Sequence, residues 1–194
     1  MIKNDTLKYG SIALIVAGVG ATATAIFYKP KIDISKQRVY LIGDSLAVGL
    51  KTPLREIANS QNVPFGVSSK GGTAMTHWIK ESWWQGVKEF KPTIILISLG
   101  TNDAYGFVDP NKVPEYVEQI RKLAGNARIY WIMPPKVNMK NIDIVREKLL
   151  QTGIENFPSD QLDINLPDGV HPSGKGYQQW AKEIWKAILN LRVR

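Results

Sequence analysis

Cysteine is absent from the 194-residue chain, which excludes disulfides, thiolate metal sites and a cysteine nucleophile. Histidine is scarce. His77 and His171 are the only two, too few for a histidine-rich metal site, and neither a metal nor a cofactor is expected. Low-complexity tracts and internal repeats are lacking as well, so the chain reads as one ordinary globular domain with disorder confined to its ends. The formal net charge of +8 does not carry a nucleic-acid footprint. Half of it comes from Lys3, Lys8, Lys29, Lys31, Lys36 and Arg38 set against Asp5 and Asp33, all flanking an apolar segment. Elsewhere no Lys/Arg cluster is interleaved with aromatics, so nucleic acid is not an expected partner.

What is present divides the chain into a tail (1–9), an uncharged stretch (10–28), a basic linker (29–38) and a domain (39–194). The 19-residue stretch Gly10 to Tyr28 would span roughly 28 Å as a helix, close to a bilayer core, with Phe27, Tyr28 and Lys29 as an interfacial belt. It is expected to be a hydrophobic helix that partners a membrane. A cleaved signal peptide competes, with Lys3 and Lys8 as its charged start and Ala21-Thr22-Ala23-Thr24-Ala25 as small residues for cleavage; secretion would follow if residues 1–25 were removed. Two orientation rules conflict. More Lys and Arg follow the segment than precede it, which would hold the domain inside, whereas the signal-like layout exports it. The expectation adopted is an extracytoplasmic domain in the cell envelope.

From Val39 onward strands and helices alternate. Strands are expected at Val39 to Ile42, Phe65 to Ser68, Thr93 to Leu99 and Arg128 to Met133, with a short fifth at Gln161 to Ile164. Helices are expected at Pro53 to Gln61, Met75 to Ile79, Ser82 to Phe90, Val113 to Ala124, Ile142 to Asn156 and Gly174 to Leu191. Thr93 to Leu99 is apolar on both faces, as a central parallel strand requires. The fold class is α/β: a doubly wound, flavodoxin-like three-layer sandwich on a mostly parallel sheet of about five strands. In such sheets ligands lie beyond the carboxyl ends of the strands. Gly43-Asp44-Ser45, Ser69-Lys70-Gly71-Gly72, Gly100-Thr101-Asn102-Asp103 and the loop at Asp168 all fall at that edge.

A serine hydroxyl needs an imidazole to take its proton and a carboxylate to orient that imidazole. Ser45, His171 and Asp168 are candidates for these roles, because Asp168 and His171 stand three apart in a Gly- and Pro-containing loop that lets the carboxylate fold back on the ring. Each also has an ordinary structural reading. Gly-Asp-Ser after a strand is a common turn or helix cap, Gly71-Gly72 a flexible turn, Asn102-Asp103 another, and His171 could be a surface residue. His77, next to Trp78, fits packing or a rim better than catalysis. Asp44 reads as a loop hydrogen-bonding residue. The Gly-x-Ser-x-Gly elbow of α/β-hydrolases does not match Gly43-Asp44-Ser45-Leu46-Ala47.

Four blocks in order, Gly43-Asp44-Ser45-Leu46, Gly71-Gly72-Thr73, Gly100-Thr101-Asn102-Asp103 and Asp168-Gly169-Val170-His171-Pro172, make residues 39 to 194 resemble the SGNH hydrolases, also called the GDSL esterase/lipase family. The resemblance implies a carboxylic ester hydrolase with catalytic Ser45, Asp168 and His171. It also implies an oxyanion hole from the backbone N–H of Ser45, the N–H of Gly71 and the side-chain amide of Asn102; Gly71 rather than Gly72 is chosen because the family's Gly-x-Thr pattern then takes in Thr73. Such donors matter because the tetrahedral intermediate is anionic at the former carbonyl oxygen, and one fixed donor is worth roughly 3 to 4 kcal/mol. Family members act on many esters. Short loops leave little chain for a long acyl tunnel, which favours removal of acetyl or short acyl groups from an envelope carbohydrate or a small-molecule ester. A membrane-associated lysophospholipase or thioesterase is the alternative if Trp78, Trp83 and Trp84 line an acyl groove, although they fit a core equally well. A non-catalytic membrane-tethered structural or binding module is the third reading.

Overall fold

The computed structural model describes residues 29–193. The expected helix at 10–28 lies outside them; among the described residues no helix is long and apolar enough to cross a membrane. Five parallel strands, β1 (Val39–Gly43), β2 (Phe65–Ser69), β3 (Ile94–Ser98), β4 (Arg128–Ile132) and β5 (Asn156–Phe157), lie in the order β2-β1-β3-β4-β5. This is the flavodoxin-like order, in which the chain switches direction across the sheet between β1 and β3. Among the described residues the α-helices are α1 (Ser45–Ser60), α2 (Met75–Trp78), α3 (Gln85–Phe90), α4 (Val113–Ala124), α5 (Ile142–Gln151) and α6 (Gly174–Leu189).

The period of two along the strands sorts the core into two layers. Tyr40, Ile42, Ile95, Ile97, Ile129 and Trp131 face α2 to α5, while Val39, Leu41, Ile94, Leu96, Tyr130 and Ile132 face α1 and α6. Both faces of β1 and β3 are therefore covered, which is why those strands read as unbroken apolar runs. Of the stripe expected on α6, Trp180, Ile184 and Ile188 lie in the core with Tyr177 half-buried beside them, and Leu191 packs there just beyond the helix, which ends at Leu189 rather than Leu191.

Three expectations need correction. The helix expected to begin at Pro53 begins at Ser45, because Asp44 caps it and Leu46, Ala47, Leu50 and Leu54 are buried; that burial holds the helix through Pro53. The helix expected to run to Asn156 stops at Gln151, where the chain turns at Thr152 and Gly153. The fifth strand accordingly forms at Asn156–Phe157, paired with Trp131 and Ile132, whereas Ser159–Gln161 is a 3-10 turn. A two-residue strand carries too little periodicity to be distinguished from its flanks. The basic stretch after residue 28 is docked to the end of the chain: Ile32 N–H donates to Leu191 O at 2.9 Å and Val193 N–H to Pro30 O at 2.9 Å.

Candidate active site

The end of β1 approaches β3 so closely that a Cβ on Gly43 would lie 2.2 Å from the Ser98 carbonyl oxygen, so only glycine fits. The next residue, Asp44, donates its N–H to that same carbonyl at 3.1 Å and caps α1 by accepting the Leu46 N–H at 2.9 Å. Ser45 is thereby fixed as the first residue of a 16-residue helix. Its N–H is one of the helix-initial donors without an intrahelical acceptor, at the positive end of the helix dipole.

Ser45 Oγ lies 2.9 Å from Nε2 of His171, and Nδ1 of His171 lies 2.8 Å from Oδ2 of Asp168. The other oxygen of Asp168 accepts the backbone N–H groups of Val170 at 2.9 Å and of His171 at 2.6 Å. Those backbone N–H groups and the imidazole, the His171 N–H foremost, hold the Asp168 carboxyl well below the usual carboxylate range. An ionised carboxylate only accepts, so the imidazole carries its proton on Nδ1 and turns a bare Nε2 lone pair toward the Ser45 hydroxyl. Asp168 and His171 remain partly exposed, with side-chain exposures of 59% and 42%, so this edge is an open surface rather than a deep cleft.

His171 reaches Ser45 because α6 packs closely on α1. A Cβ on Gly49, one turn beyond Ser45, would lie 2.0 Å from Cζ of Tyr177 on α6. Burial first, then the charges of Asp44 and Asp168, push the Tyr177 phenol up to about 12. Neither Gly49 nor Tyr177 was recognisable as part of the site, since a glycine inside a helix signals only a local cost.

On the other side of Ser45 stands the β2–α2 loop. A Cβ on Gly71 would lie 3.7 Å from Ser45 Cβ, whereas Gly72, at φ +74°, faces open space. Thr73 closes this turn by donating its hydroxyl to Lys70 O at 2.8 Å, and its oxygen accepts the Trp78 indole N–H at 3.1 Å. The β3 end clasps the same loop: Asn102 Nδ2 donates to Thr73 O at 3.0 Å, and Asp103 Oδ1 accepts the Met75 N–H at 3.0 Å. The second hydrogen of Asn102 Nδ2 goes to Asp44 Oδ2 at 3.2 Å. Burial pushes Asp44 up to about 7, against the pull of the Leu46 N–H, and Asp103 up to about 6.

Of the residues expected from the sequence, Ser45, His171 and Asp168 form one hydrogen-bonded chain, Gly71 abuts Ser45, and Asn102 joins through Asp44 and Thr73. His77 is half-buried, accepts the Ala74 N–H on Nδ1 at 3.2 Å and packs edge-on against Trp83, which is a packing role. Trp78 and Trp84 are core residues with no face left for an acyl chain; Trp83 alone of the three keeps partial exposure, beneath Lys70 Nζ at 5.6 Å. Among the described residues no group of acidic and histidine side chains could hold a metal.

Neither a family model nor a curated protein matches the chain. Solved structures do. It is similar to the lipase/acylhydrolase from Enterococcus faecalis at 18% identity and TM-score 0.63, over 78% of this chain and 95% of that one. A psychrotrophic esterase from Pseudoalteromonas sp., inhibited by monoethylphosphonate, matches at 18% identity and TM-score 0.62, over 78% and 96% of the two chains. The family 3 carbohydrate esterase from Clostridium thermocellum matches at 15% identity and TM-score 0.61, over 77% and 94%. Proteins of the G-D-S-L family from Desulfitobacterium hafniense and Veillonella parvula stand among these neighbours, and with its five-stranded parallel sheet the chain has the fold of the SGNH, or GDSL, hydrolases.

Proposed function

We propose that the protein is a serine carboxylic ester hydrolase. The observation that carries this reading is the unbroken relay from Ser45 Oγ through both nitrogens of His171 to Asp168, at 2.9 and 2.8 Å. Ser45 Oγ attacks the ester carbonyl as His171 Nε2 takes its proton; the oxyanion is met by the N–H groups of Ser45 and Gly71 and the Asn102 amide. Collapse expels the alcohol, which receives the proton from His171, and leaves Ser45 acylated. Water, deprotonated by the same nitrogen, then releases the acid and restores the hydroxyl.

The substrate reading is a short acyl group on a bulky acceptor, an envelope carbohydrate or a small-molecule ester. Two features support it. Asp168 and His171 lie at an open edge that a polymer can approach, and the burial of Trp78 and Trp84 removes two of the three walls an acyl groove would have used. The carbohydrate esterase among the structural neighbours accords with the same class. Localisation is part of the proposal: residues 10–28 tether the domain to a membrane and place it outside the cytoplasm. Hydrolysis of p-nitrophenyl acetate, butyrate and decanoate by the wild type and Ser45→Ala tests the chemistry. The expected result is Ser45-dependent turnover that falls with chain length; a decanoate preference would favour the lipid alternative, and no Ser45-dependent turnover on any ester would favour a non-catalytic module.

A further inference from the structure

The amide assigned to the oxyanion hole has no idle hydrogen. Asn102 Nδ2 directs one to Thr73 O at 3.0 Å and the other to Asp44 Oδ2 at 3.2 Å. Asp44 is fully buried, and its second oxygen holds the N–H of Leu46, the residue after the nucleophile. One carboxylate thus ties the turn that presents Ser45 to the side chain that would meet the oxyanion. The position calls for two acceptors facing two donors. A carboxylate supplies both; an amide has one acceptor and one donor, and in either orientation its NH2 opposes the Leu46 N–H or the Asn102 amide.

We propose that Asp44 is a positioning residue of the hydrolytic site, fixing the plane and depth of the Asn102 amide so that the hydrogen it directs to Asp44 is the one shared with the substrate oxygen as that oxygen turns anionic. The proposal rests on the ester-hydrolase reading. The amide is held from two sides, by Thr73 O at 3.0 Å and by Asp44 Oδ2 at 3.2 Å, and the hydrogen directed to Asp44 is the one the anionic substrate oxygen shares. The charged groups facing Asp44 are Asp103 from the β3 end, which raises its pKa, and His171, which lowers it; Tyr177 on α6 in turn senses the Asp44 charge. A buried carboxyl costs stability once it ionises, and its presence beside the nucleophile is what the positioning role accounts for.

The test is a double-mutant cycle on p-nitrophenyl acetate, with Asp44→Asn and Asn102→Ala alone and combined. Asparagine caps a helix as well as aspartate does, so Asp44→Asn keeps the start of α1, which a thermal melt checks. Asp44→Asn is expected to lower kcat by about 10²-fold with KM within about twofold, close to the loss of a single oxyanion donor. The double variant is expected to be no slower than Asn102→Ala. Losses that multiply, or a loss confined to KM, overturn the proposal. The side-chain 15N–1H signals of Asn102 provide a readout independent of turnover: they are expected to move in Asp44→Asn, and unchanged signals also overturn it. Failure of the hydrolase reading looks different, as wild type and Ser45→Ala would then be equally inactive while the Asn102 signals still moved.

Discussion

Gly49→Ala adds one methyl group where the structure has no room for it. The new carbon would sit 2.0, 2.3 and 2.5 Å from Cζ, Cε1 and Cε2 of Tyr177, whereas carbon contacts settle at about 3.5 to 4 Å. About 1.5 to 2 Å of clearance must therefore come from the Tyr177 ring or from α6 as a body. Two terms oppose each other. Alanine is worth about 1 kcal/mol more than glycine inside a helix, while overpacking costs about 1 to 3 kcal/mol, so a net loss of ~1 kcal/mol is expected rather than the usual gain. Activity should suffer more. Gly49 lies one turn from Ser45, and Tyr177 lies six residues from His171 at the start of the helix that positions it, so a shift of 1 Å between α1 and α6 lengthens the Ser45–His171 contact directly. Misplacement on that scale costs up to about 10²-fold in rate. Turnover of p-nitrophenyl acetate together with urea unfolding measures both effects. Tyr177→Leu in the Gly49→Ala background removes the opposing ring atoms and should recover most of the turnover. A Gly49→Ala protein that is more stable and fully active, or one that Tyr177→Leu fails to rescue, would show that the Tyr177 ring does not set the spacing of α1 and α6.

Asp168→Asn should lower kcat by about 10³- to 10⁴-fold with little change in stability: the amide oxygen stays with the Val170 and His171 N–H groups, its NH2 faces Nδ1, and the imidazole proton is forced onto Nε2, the nitrogen that must accept from Ser45. Stability should fall as pH rises from about 4 to 7, because burial raises Asp44 from 3.8 to about 7, a displacement worth ~4 kcal/mol in favour of the protonated native state at low pH, and raises Asp103 in the same direction. Asp168, held low, acts oppositely and contributes stability that is lost as pH falls below its unfolded-state value, so urea midpoints should peak on the acid side of neutrality; in Asp44→Asn the decline toward pH 7 should be shallower. Arg146→Leu should cost about 1 to 3 kcal/mol in urea unfolding, since the buried guanidinium donates to the carbonyls of Pro134 and Pro135, and the leucine takes that donor from Pro134 O while Pro135 O keeps the Val137 N–H.

β1 and β3 were legible in the sequence because burial on both faces leaves a continuous apolar run, and α6 because its stripe at helical spacing is the face that packs. β5 was misplaced because two residues carry no period, and the start of α1 because Pro53 resembled a first-turn proline while Asp44 was already serving as the cap. Within the site, Ser45, Asp168 and His171 were legible as residue types whose chemistry is interdependent. Asp44 was legible as a hydrogen-bonding loop residue, but its bond to Asn102 was not, nor was the contact of Gly49 with Tyr177, because in both cases the partner is distant in sequence. Side chains that matter by filling or vacating space, or by accepting two hydrogens at once, leave no periodic trace.

The claim that Ser45 is a nucleophile activated by His171 is tested most directly by an organophosphonate ester followed by peptide mass spectrometry. One covalent adduct per chain is expected, on the peptide containing Ser45, formed by the wild type and suppressed in His171→Ala. An adduct on another residue, or labelling of Ser45 at the same rate without the imidazole, would contradict it.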